Sequence, residues 1–162
     1  MTEKPLAVHA HQVEPRAKKS AYPTVITDKI GDLLAGRDKR TLGEVFGLKN
    51  FGVNLTRLAP VAISALRHAH EKQDEFVYIL QGYPTLQTDD GDTLLQPGMC
   101  AGFPAGSGNA HRLINQSPED AWYLEVGDRT LGDCVTYPEE DLQANNPEGV
   151  WLFSRKDGRA FD

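Results

Sequence analysis

Short runs of alternating apolar and polar residues, separated by turn residues, fill the central part of the chain. Such runs are typical of strands with one buried face. The pattern predicts strands over 41–48, 52–58, 62–70, 76–80, 85–88, 93–95, 100–103, 111–115 and 122–126. Asp90-Gly91 predicts a tight hairpin, because glycine adopts a positive φ without strain. Many short strands at close spacing indicate an antiparallel sandwich or barrel, and so an all-β fold.

The two ends of the chain differ from this central pattern. Residues 1–20 are polar, contain two prolines and are expected to form an arm, and 29–35 are predicted to form a short helix. Near the other end, the acidic segment 138–141 favours a helix start, and the apolar segment 150–153 is predicted to pack on the barrel as a strand. The expected organisation is an arm with a short helix over 1–40, a barrel over 41–130 and a C-terminal extension over 131–162.

Composition narrows the class of protein. The 162 residues suit one domain with a proper core, and the net charge of −6 makes nucleic acid a poor partner. The sequence has no apolar leader and no apolar stretch long enough to span a membrane, so the cytoplasm is the expected location. Cys100 and Cys134 form no CxxC pair and are expected to be free thiols, with one disulfide as the alternative; Cys100 is expected to be buried as packing.

Three imidazoles and a carboxylate lie on predicted strands. His68 and His70 are two residues apart and therefore share a strand face, Glu75 precedes the next apolar run, and His111 begins a later one. This donor set suits iron, manganese, nickel, copper or zinc better than calcium, which prefers oxygen ligands. An octahedral ion with four protein ligands keeps two positions for water, oxygen or a chelating substrate. These four side chains are the candidate metal ligands.

The same two stretches resemble the paired signature motifs of the cupin superfamily. The first motif is Gly, five residues, His-x-His, three or four residues, Glu, six residues, Gly, and the chain supplies His68, His70, Glu75 and Gly82. The second is Gly, five residues, Pro-x-Gly, two residues, His, three residues, Asn, and the chain supplies Gly98, Pro104, Gly106, His111 and Asn115. Two departures are Ala62 at the first glycine position and four residues, not two, before His111.

The resemblance covers residues 50–127 and implies a single cupin double-stranded β-helix, a jelly-roll barrel, with one divalent transition metal (iron, manganese, zinc or nickel) and a homodimeric assembly. It does not choose a reaction, because cupins include dioxygenases, isomerases, decarboxylases and non-catalytic binding domains. We expect a small metal-dependent enzyme, dioxygenase or isomerase-like, acting on an organic acid, sugar or aromatic metabolite. The alternatives are a non-catalytic small-molecule-binding or sensor cupin and a metal that only stabilises the barrel. An obvious lysine and arginine cluster is missing, which weakens the interpretation as a phosphosugar isomerase.

Several polar residues near these motifs have two possible roles. Arg57 suits a substrate carboxylate, but a surface ion pair is the more common role. On the strand 122–126 the apolar residues Trp122, Leu124 and Val126 are expected to be buried, which leaves Glu125 as a less favoured candidate for a base in the pocket. Asn115 is expected to hydrogen-bond nearby backbone.

Other features have a simpler expected role. The second His-x-His pair, His9 and His11, lies in the polar arm without a matching carboxylate and is expected to be on the surface, as is the basic cluster 16–19. The strand 76–80 is apolar on both faces, so its outer face needs cover from an N-terminal segment or a second subunit.

Overall fold

The computed structural model describes residues 4–17 and 20–161. Its helical segments are a 3-10 turn over Ala10–Gln12, α1 over Thr24–Ala35 and α2 over Leu42–Phe46. Within the described residues the strands are β1 (Arg37–Arg40), β2 (Phe51–Leu58), β3 (Ala69–His70), β4 (Glu75–Gln81), β5 (Thr85–Thr88), β6 (Gly91–Leu94), β7 (Cys100–Phe103), β8 (Arg112–Ile114), β9 (Ala121–Asp128), β10 (Asp133–Tyr137), β11 (Leu142–Asn146) and β12 (Leu152–Ser154). The predicted all-β fold is confirmed.

The strands form three antiparallel sheets. The largest has the order β1-β2-β9-β4-β7, the second β12-β11-β10-β3 and the third β6-β5-β8. The long ladders β2–β9 and β9–β4 fix which residues lie beside one another on the inner face of the largest sheet. The second sheet joins the C-terminal strands to β3, which carries part of the His-x-His motif. Residues from both ends of the chain therefore reach the motif region.

Two apolar clusters hold these layers together. Inside the barrel, Leu58, Val77, Ile79 and Tyr123 pack with residues of β5 and β8. In the other cluster, α1 places Ile26, Ile30 and Leu34 on one face because they are four residues apart, and this face packs against the C-terminal sheet. Each such buried side chain contributes about 1.5–3 kcal/mol relative to an exposed one. The clusters fix the C-terminal strands beside the metal motifs.

The central strand pattern is largely confirmed. The hairpin of β5 and β6 turns at Asp89-Asp90, with Thr88 paired to Gly91, whose φ is +119°. Gly82, the last residue of the first motif, has a φ of +79°, and a Cβ there would lie 2.6 Å from the carbonyl oxygen of Asp120. Only glycine fits this close approach of two backbones.

Three element predictions are wrong, and the helix predicted over 29–35 begins earlier than expected. Segment 41–48 contains the helix α2, because its apolar residues recur with helical spacing and Gly47, at φ +73°, ends the helix in a left-handed conformation. Segment 62–70 is mostly irregular and pairs through isolated bridges such as His68 with His111. Segment 138–141 is the turn between β10 and β11, and α1 begins at Thr24 rather than near 29.

The outer face of β4 is apolar and open. Phe76, Tyr78 and Leu80 are 40%, 39% and 42% exposed, whereas Val77 and Ile79 are buried inside the barrel. The homodimer expected to cover this face stays a prediction. Among the described residues, no helix has the length and apolar character that crossing a membrane requires.

Candidate metal centre and its pocket

Four side chains from separate segments converge inside the barrel. His70 lies on β3, His68 precedes it, Glu75 begins β4, and His111 directly precedes β8. The backbones of His68 and His111 are paired by hydrogen bonds of 3.1 and 2.9 Å. Glu75 Oε2 lies 3.3 Å from Nε2 of His68, 3.5 Å from Nε2 of His70 and 2.9 Å from Nε2 of His111. The two extra residues before His111 do not keep it from the cluster.

The distances from Glu75 to His68 and His70 are long for hydrogen bonds, whereas the 2.9 Å to His111 is an ordinary hydrogen-bond length, and all three also suit ligand atoms around one ion. With metal–ligand bonds of about 2.1 Å, neighbouring ligand atoms lie about 3.0 Å apart in an octahedron and about 3.4 Å apart in a tetrahedron. Glu75 Oε2 is buried and makes no hydrogen bond of good geometry. A buried carboxylate oxygen surrounded by imidazole nitrogens, without a directed hydrogen bond, suits a shared cation. The residues present therefore fit a divalent transition metal.

The Nδ1 atoms of His68 and His70 form hydrogen bonds on the side of each ring away from the cluster. His70 Nδ1 lies 2.5 Å from Oδ2 of Asp133, and His68 Nδ1 lies 2.8 Å from the carbonyl oxygen of Leu66. Both oxygens accept a hydrogen from Nδ1, so each Nε2 presents its lone pair to the cluster. The ring of His111 instead stacks on Phe103, with a centroid distance of 3.5 Å and an interplanar angle of 2°.

Asp133 is a buried partner of the candidate metal cluster that the sequence patterns did not identify. It is fully buried at the start of β10, and its Oδ1 accepts hydrogen bonds from the backbone N–H groups of Glu71 (3.1 Å) and Lys72 (2.7 Å). A signal was present, since Asp133 alternates with Val135 and Tyr137 on a strand and must share their buried face. A charged residue in such a series needs a partner, and here that partner is His70.

The pKa values of the clustered side chains reflect both their burial and the charges of their neighbours. Burial alone would raise the pKa of Glu75, but contacts with His111 and His68 hold that pKa well below its ordinary value. Burial would likewise lower the pKa of His68, yet the neighbouring Glu75 carboxylate outweighs it and raises this pKa. At His111 burial prevails and lowers the pKa. Glu75 is therefore an anion that attracts one positive charge to this point.

A cavity of about 400 Å³ opens over the cluster. This volume lies within the range of about 300–1,000 Å³ that is usual for small-molecule sites. One wall is aromatic and comes from the segment before α1 and from the C-terminal strands: it consists of Tyr22, Tyr137, Trp151 and Phe153. The lining also includes the polar residues Arg16, Arg37, Lys39, Asn54 and Glu125. The pocket therefore brings apolar and charged side chains together with the candidate metal cluster.

Comparison with known proteins agrees with this geometry. The family model described as "Cupin domain" matches residues 54–127. A crystal structure titled as a sugar phosphate isomerase from a cupin superfamily, from Silicibacter pomeroyi, is 37% identical, with a TM-score of 0.87 and 96% of each chain covered. The chain belongs to the cupin superfamily. Its antiparallel sheets match the cupin jelly-roll fold.

Two further structures show how widely this fold is used. A protein of Acidithiobacillus ferrooxidans, provisionally named a sugar phosphate isomerase, is 28% identical to this cupin, with a TM-score of 0.71 over 78% of this chain and 80% of the other. The polyketide cyclase RemF of Streptomyces resistomycificus is 18% identical, with a TM-score of 0.59 over 75% and 78% of the chains, and it shares the fold alone. No curated protein sequence matches this cupin. The fold therefore leaves the reaction open.

Arg16 of the basic cluster is exposed, as expected for a solvated face, and it is also one of the charged residues around the pocket. The backbone N–H of Arg16 donates to the carbonyl oxygen of Lys39 at 2.9 Å, which fixes the arm beside β1, and Arg16 lines the cavity. Burial lowers the pKa of Arg16, and Arg37 lowers it further. Residues 18 and 19 lie outside the described residues. Cationic residues thus converge on the pocket from positions that are distant in sequence.

The orientation of β9 is also opposite to the prediction. Tyr123 is only 1% exposed and Glu125 lines the cavity, whereas Trp122 faces outward and contacts the ring of His11 in the arm, with a centroid distance of 4.8 Å. The outer face tolerates apolar residues because the arm covers part of it. His11 and His9 are exposed, as predicted.

The remaining residues have structural roles or lie on the surface. Arg57 pairs with Asp38 at 2.6 Å and with Asp120 at 3.0 Å, so its predicted ion-pair role is confirmed. Asn115 is buried and donates to the carbonyl oxygen of Leu58 at 2.8 Å, which confirms its predicted bonding to backbone. Both cysteines are free, but Cys100 is exposed, so its expected role in core packing is wrong.

Proposed function

We propose that this cupin is a metal-dependent isomerase of a small phosphorylated sugar. In this proposal His68, His70, Glu75 and His111 hold one divalent transition metal, such as iron, manganese, zinc or nickel. The observation that carries the proposal is that one cavity joins this cluster to cationic side chains. The 37% identical Silicibacter pomeroyi protein, described as a sugar phosphate isomerase, aligns over 96% of this chain and supports the same substrate class.

Each surface of the pocket suits one part of such a substrate. A bound divalent ion supplies Lewis acidity toward the carbonyl and hydroxyl oxygens of a sugar. The guanidinium groups of Arg16 and Arg37 suit a phosphate, because their planar forks match its oxygens in pairs. The aromatic wall, which includes Trp151, offers apolar surface to the carbon skeleton. A phosphosugar can therefore lie with its carbonyl end at the cluster and its phosphate toward the arm.

With a divalent ion bound, the charge of the site favours an anionic substrate. Three neutral imidazoles and the Glu75 carboxylate carry one negative charge, so a divalent ion leaves the cluster with a net charge of +1. Beside it stand Arg16, Arg37 and the ion pair of Lys39 with Glu125. The sequence shows no obvious phosphate-binding cluster of lysine and arginine, which weakens the interpretation as a phosphosugar isomerase, whereas in the fold Arg16, Arg37 and Lys39 line one pocket.

The test loads the protein with each of the four metals and follows representative aldose phosphates and their unphosphorylated sugars by NMR. We expect conversion of a phosphosugar and little conversion of the free sugar. Arg16→Ala should weaken binding of the phosphosugar by about 10-fold or more, the loss typical of one charge-assisted hydrogen bond. Arg159→Ala, a highly exposed arginine, is the matched control.

Two results would contradict the proposal. If no metal-loaded sample converts any phosphosugar, isomerase function is refuted, and a ligand that raises the melting temperature without being converted would favour a binding cupin. If free sugars and phosphosugars are converted equally well, the cationic side chains of the pocket do not bind phosphate. Removal of the metal by a chelator should abolish conversion.

A further inference from the structure

We propose that Glu125 is the base that carries the substrate proton in this pocket. Lys39 and Asn54 hold the Glu125 carboxylate in position. The inference rests on the proposed isomerase function and assigns a catalytic residue outside the two cupin motifs. A sugar isomerase needs a group that removes a proton from one carbon and returns it to the next. Among the wall residues, Glu125 combines a carboxylate with a fixed position near the metal cluster.

The strand register sets its distance from the cluster. On the inner face of the largest sheet, Glu75 of β4 lies directly opposite Gly127 of β9. Glu125 is two residues before Gly127 and shares its face, so it is a diagonal neighbour of Glu75, at about 7–8 Å between Cα atoms. A small substrate against the metal ligands lies within reach of a glutamate at this position.

Gly127 keeps the space between these two carboxylates open. A Cβ built at Gly127 would lie 3.8 Å from Cγ and 3.9 Å from Oε1 of Glu75. That contact is ordinary, so the glycine is not required by backbone strain. Its effect is that no side chain from β9 lies directly opposite Glu75, whose partner on the other side is Phe103 of β7, and both Gly127 and Glu125 line the cavity.

Two neighbours orient the Glu125 carboxylate from one side. The Lys39 ammonium forms an ion pair with Oε1, and the Asn54 amide donates to the same oxygen at 2.9 Å. Neither contact involves Oε2. The side chains of Glu125 and Lys39 are 20% and 19% exposed, so the pair is held within the pocket wall yet open to the cavity. A base needs this combination of a fixed position and an accessible oxygen.

A neutral donor stands next to this base. Tyr123 is two residues away on the same face, and its buried hydroxyl makes no hydrogen bond of good geometry with the protein. Burial raises the pKa of Tyr123 well above its ordinary value, and the nearby Glu125 carboxylate raises it further. The phenol therefore keeps its proton, and Glu125 is the group beside it that can exchange one.

The proton transfer balances within the substrate and Glu125. The C–H bond of the carbon next to the carbonyl breaks, its proton passes to Glu125, and its electron pair forms the C=C bond of an enediol. The hydroxyl proton on that carbon passes to the former carbonyl oxygen. Glu125 then returns its proton to the former carbonyl carbon as the new carbonyl forms, so no external oxidant or reductant is consumed.

The test compares wild type, Glu125→Gln and Glu148→Gln, the last an exposed glutamate away from the pocket. Three quantities are measured: metal content per chain, binding of an aldose phosphate, and exchange of its carbon-bound hydrogen in D₂O by NMR. Glu125→Gln should keep the metal content and bind the phosphosugar within a few-fold, while hydrogen exchange falls by about 100-fold or more. Glu148→Gln should match wild type in all three.

The outcomes separate this inference from the proposed function. If wild type exchanges hydrogen and Glu125→Gln exchanges it equally fast, Glu125 is not the base, although the isomerase function stands. If wild type binds metal but neither converts nor exchanges any phosphosugar, the function fails and the inference fails with it. If Glu125→Gln does not fold because Lys39 loses its partner, the double variant Lys39→Met/Glu125→Gln removes both charges, and retained exchange there would equally overturn the inference.

Discussion

The substitution Asp133→Asn tests whether the residue behind His70 controls metal binding. The two side chains have nearly the same shape, but an amide has one acceptor and one donor group where a carboxylate has two acceptors. In the structure, Oδ1 accepts from two backbone N–H groups, and Oδ2 faces His70 Nδ1 at 2.5 Å. Asparagine cannot satisfy both sides at once.

Either orientation of the amide has a cost. If its oxygen keeps the two backbone N–H groups, its NH₂ group faces His70 Nδ1, and the ring must move its hydrogen to Nε2. Nε2 then has no lone pair for a metal. If the amide is reversed, its NH₂ group faces the N–H groups of Glu71 and Lys72, and unsatisfied buried donors cost about 1–3 kcal/mol. Loss of such an outer hydrogen bond typically costs 10–100-fold in metal affinity, or about 1.4–2.8 kcal/mol. We expect the upper end of that range, because the tautomer itself is changed.

The measurement is a Zn(II) competition titration against a chromophoric chelator, with thermal melting of the metal-free proteins to show that each variant folds. Asp32→Asn, on the exposed side of α1, is the matched control and should bind Zn(II) like wild type. If folded Asp133→Asn binds Zn(II) within two-fold of wild type, the hydrogen bond to His70 does not set the tautomer, and the reasoning is refuted.

Two further predictions concern the same centre. His111→Ala should abolish tight metal binding, whereas His9→Ala should leave it unchanged, and equal losses in metal content would mean that the wrong His-x-His pair has been chosen. Without metal, the raised pKa of His68 contributes stability that is complete below its ordinary value of 6.5 and is lost as pH rises through the higher folded pKa. Metal binding has the opposite dependence on pH, because the imidazole ring must be neutral to bind the ion. Zn(II) affinity should therefore fall as the pH is lowered from about 8 to about 6, by up to tenfold per pH unit. Competition titrations at both pH values test this, and a constant affinity would contradict it.

The sequence predicted the parts of the site that local spacing controls. His68 and His70 share a face because they are two residues apart in an extended segment, although that segment is mostly irregular. The tight hairpin predicted at Asp90-Gly91 forms one residue earlier, at Asp89-Asp90. Spacing was sufficient in these cases because the determining contacts lie within one strand or one turn.

The missed residues depend on long-range pairing. Asp133 reaches His70 only because β10 pairs with β3, and Arg16 reaches the pocket only because the arm bonds to β1. The face of β9 was assigned wrongly because an apolar face was assumed to be the inner one. In the fold, the arm covers part of the outer face, and the inner face lines a polar cavity with Glu125. Hydrophobic alternation identifies two faces, but it does not say which face encloses a site.

The candidate metal ligands and the other pocket residues come from partly different parts of the chain. The family model matches residues 54–127, which contain the four proposed metal ligands. The pocket walls come from both parts of the chain: Asn54 and Glu125 lie inside that range, whereas Arg16 and Arg37 precede it and Trp151 follows it. The flanking segments therefore add charged and aromatic side chains to a cavity whose candidate metal ligands lie within the cupin core. A match to the fold alone does not choose a reaction, because the reaction depends on the side chains of the site.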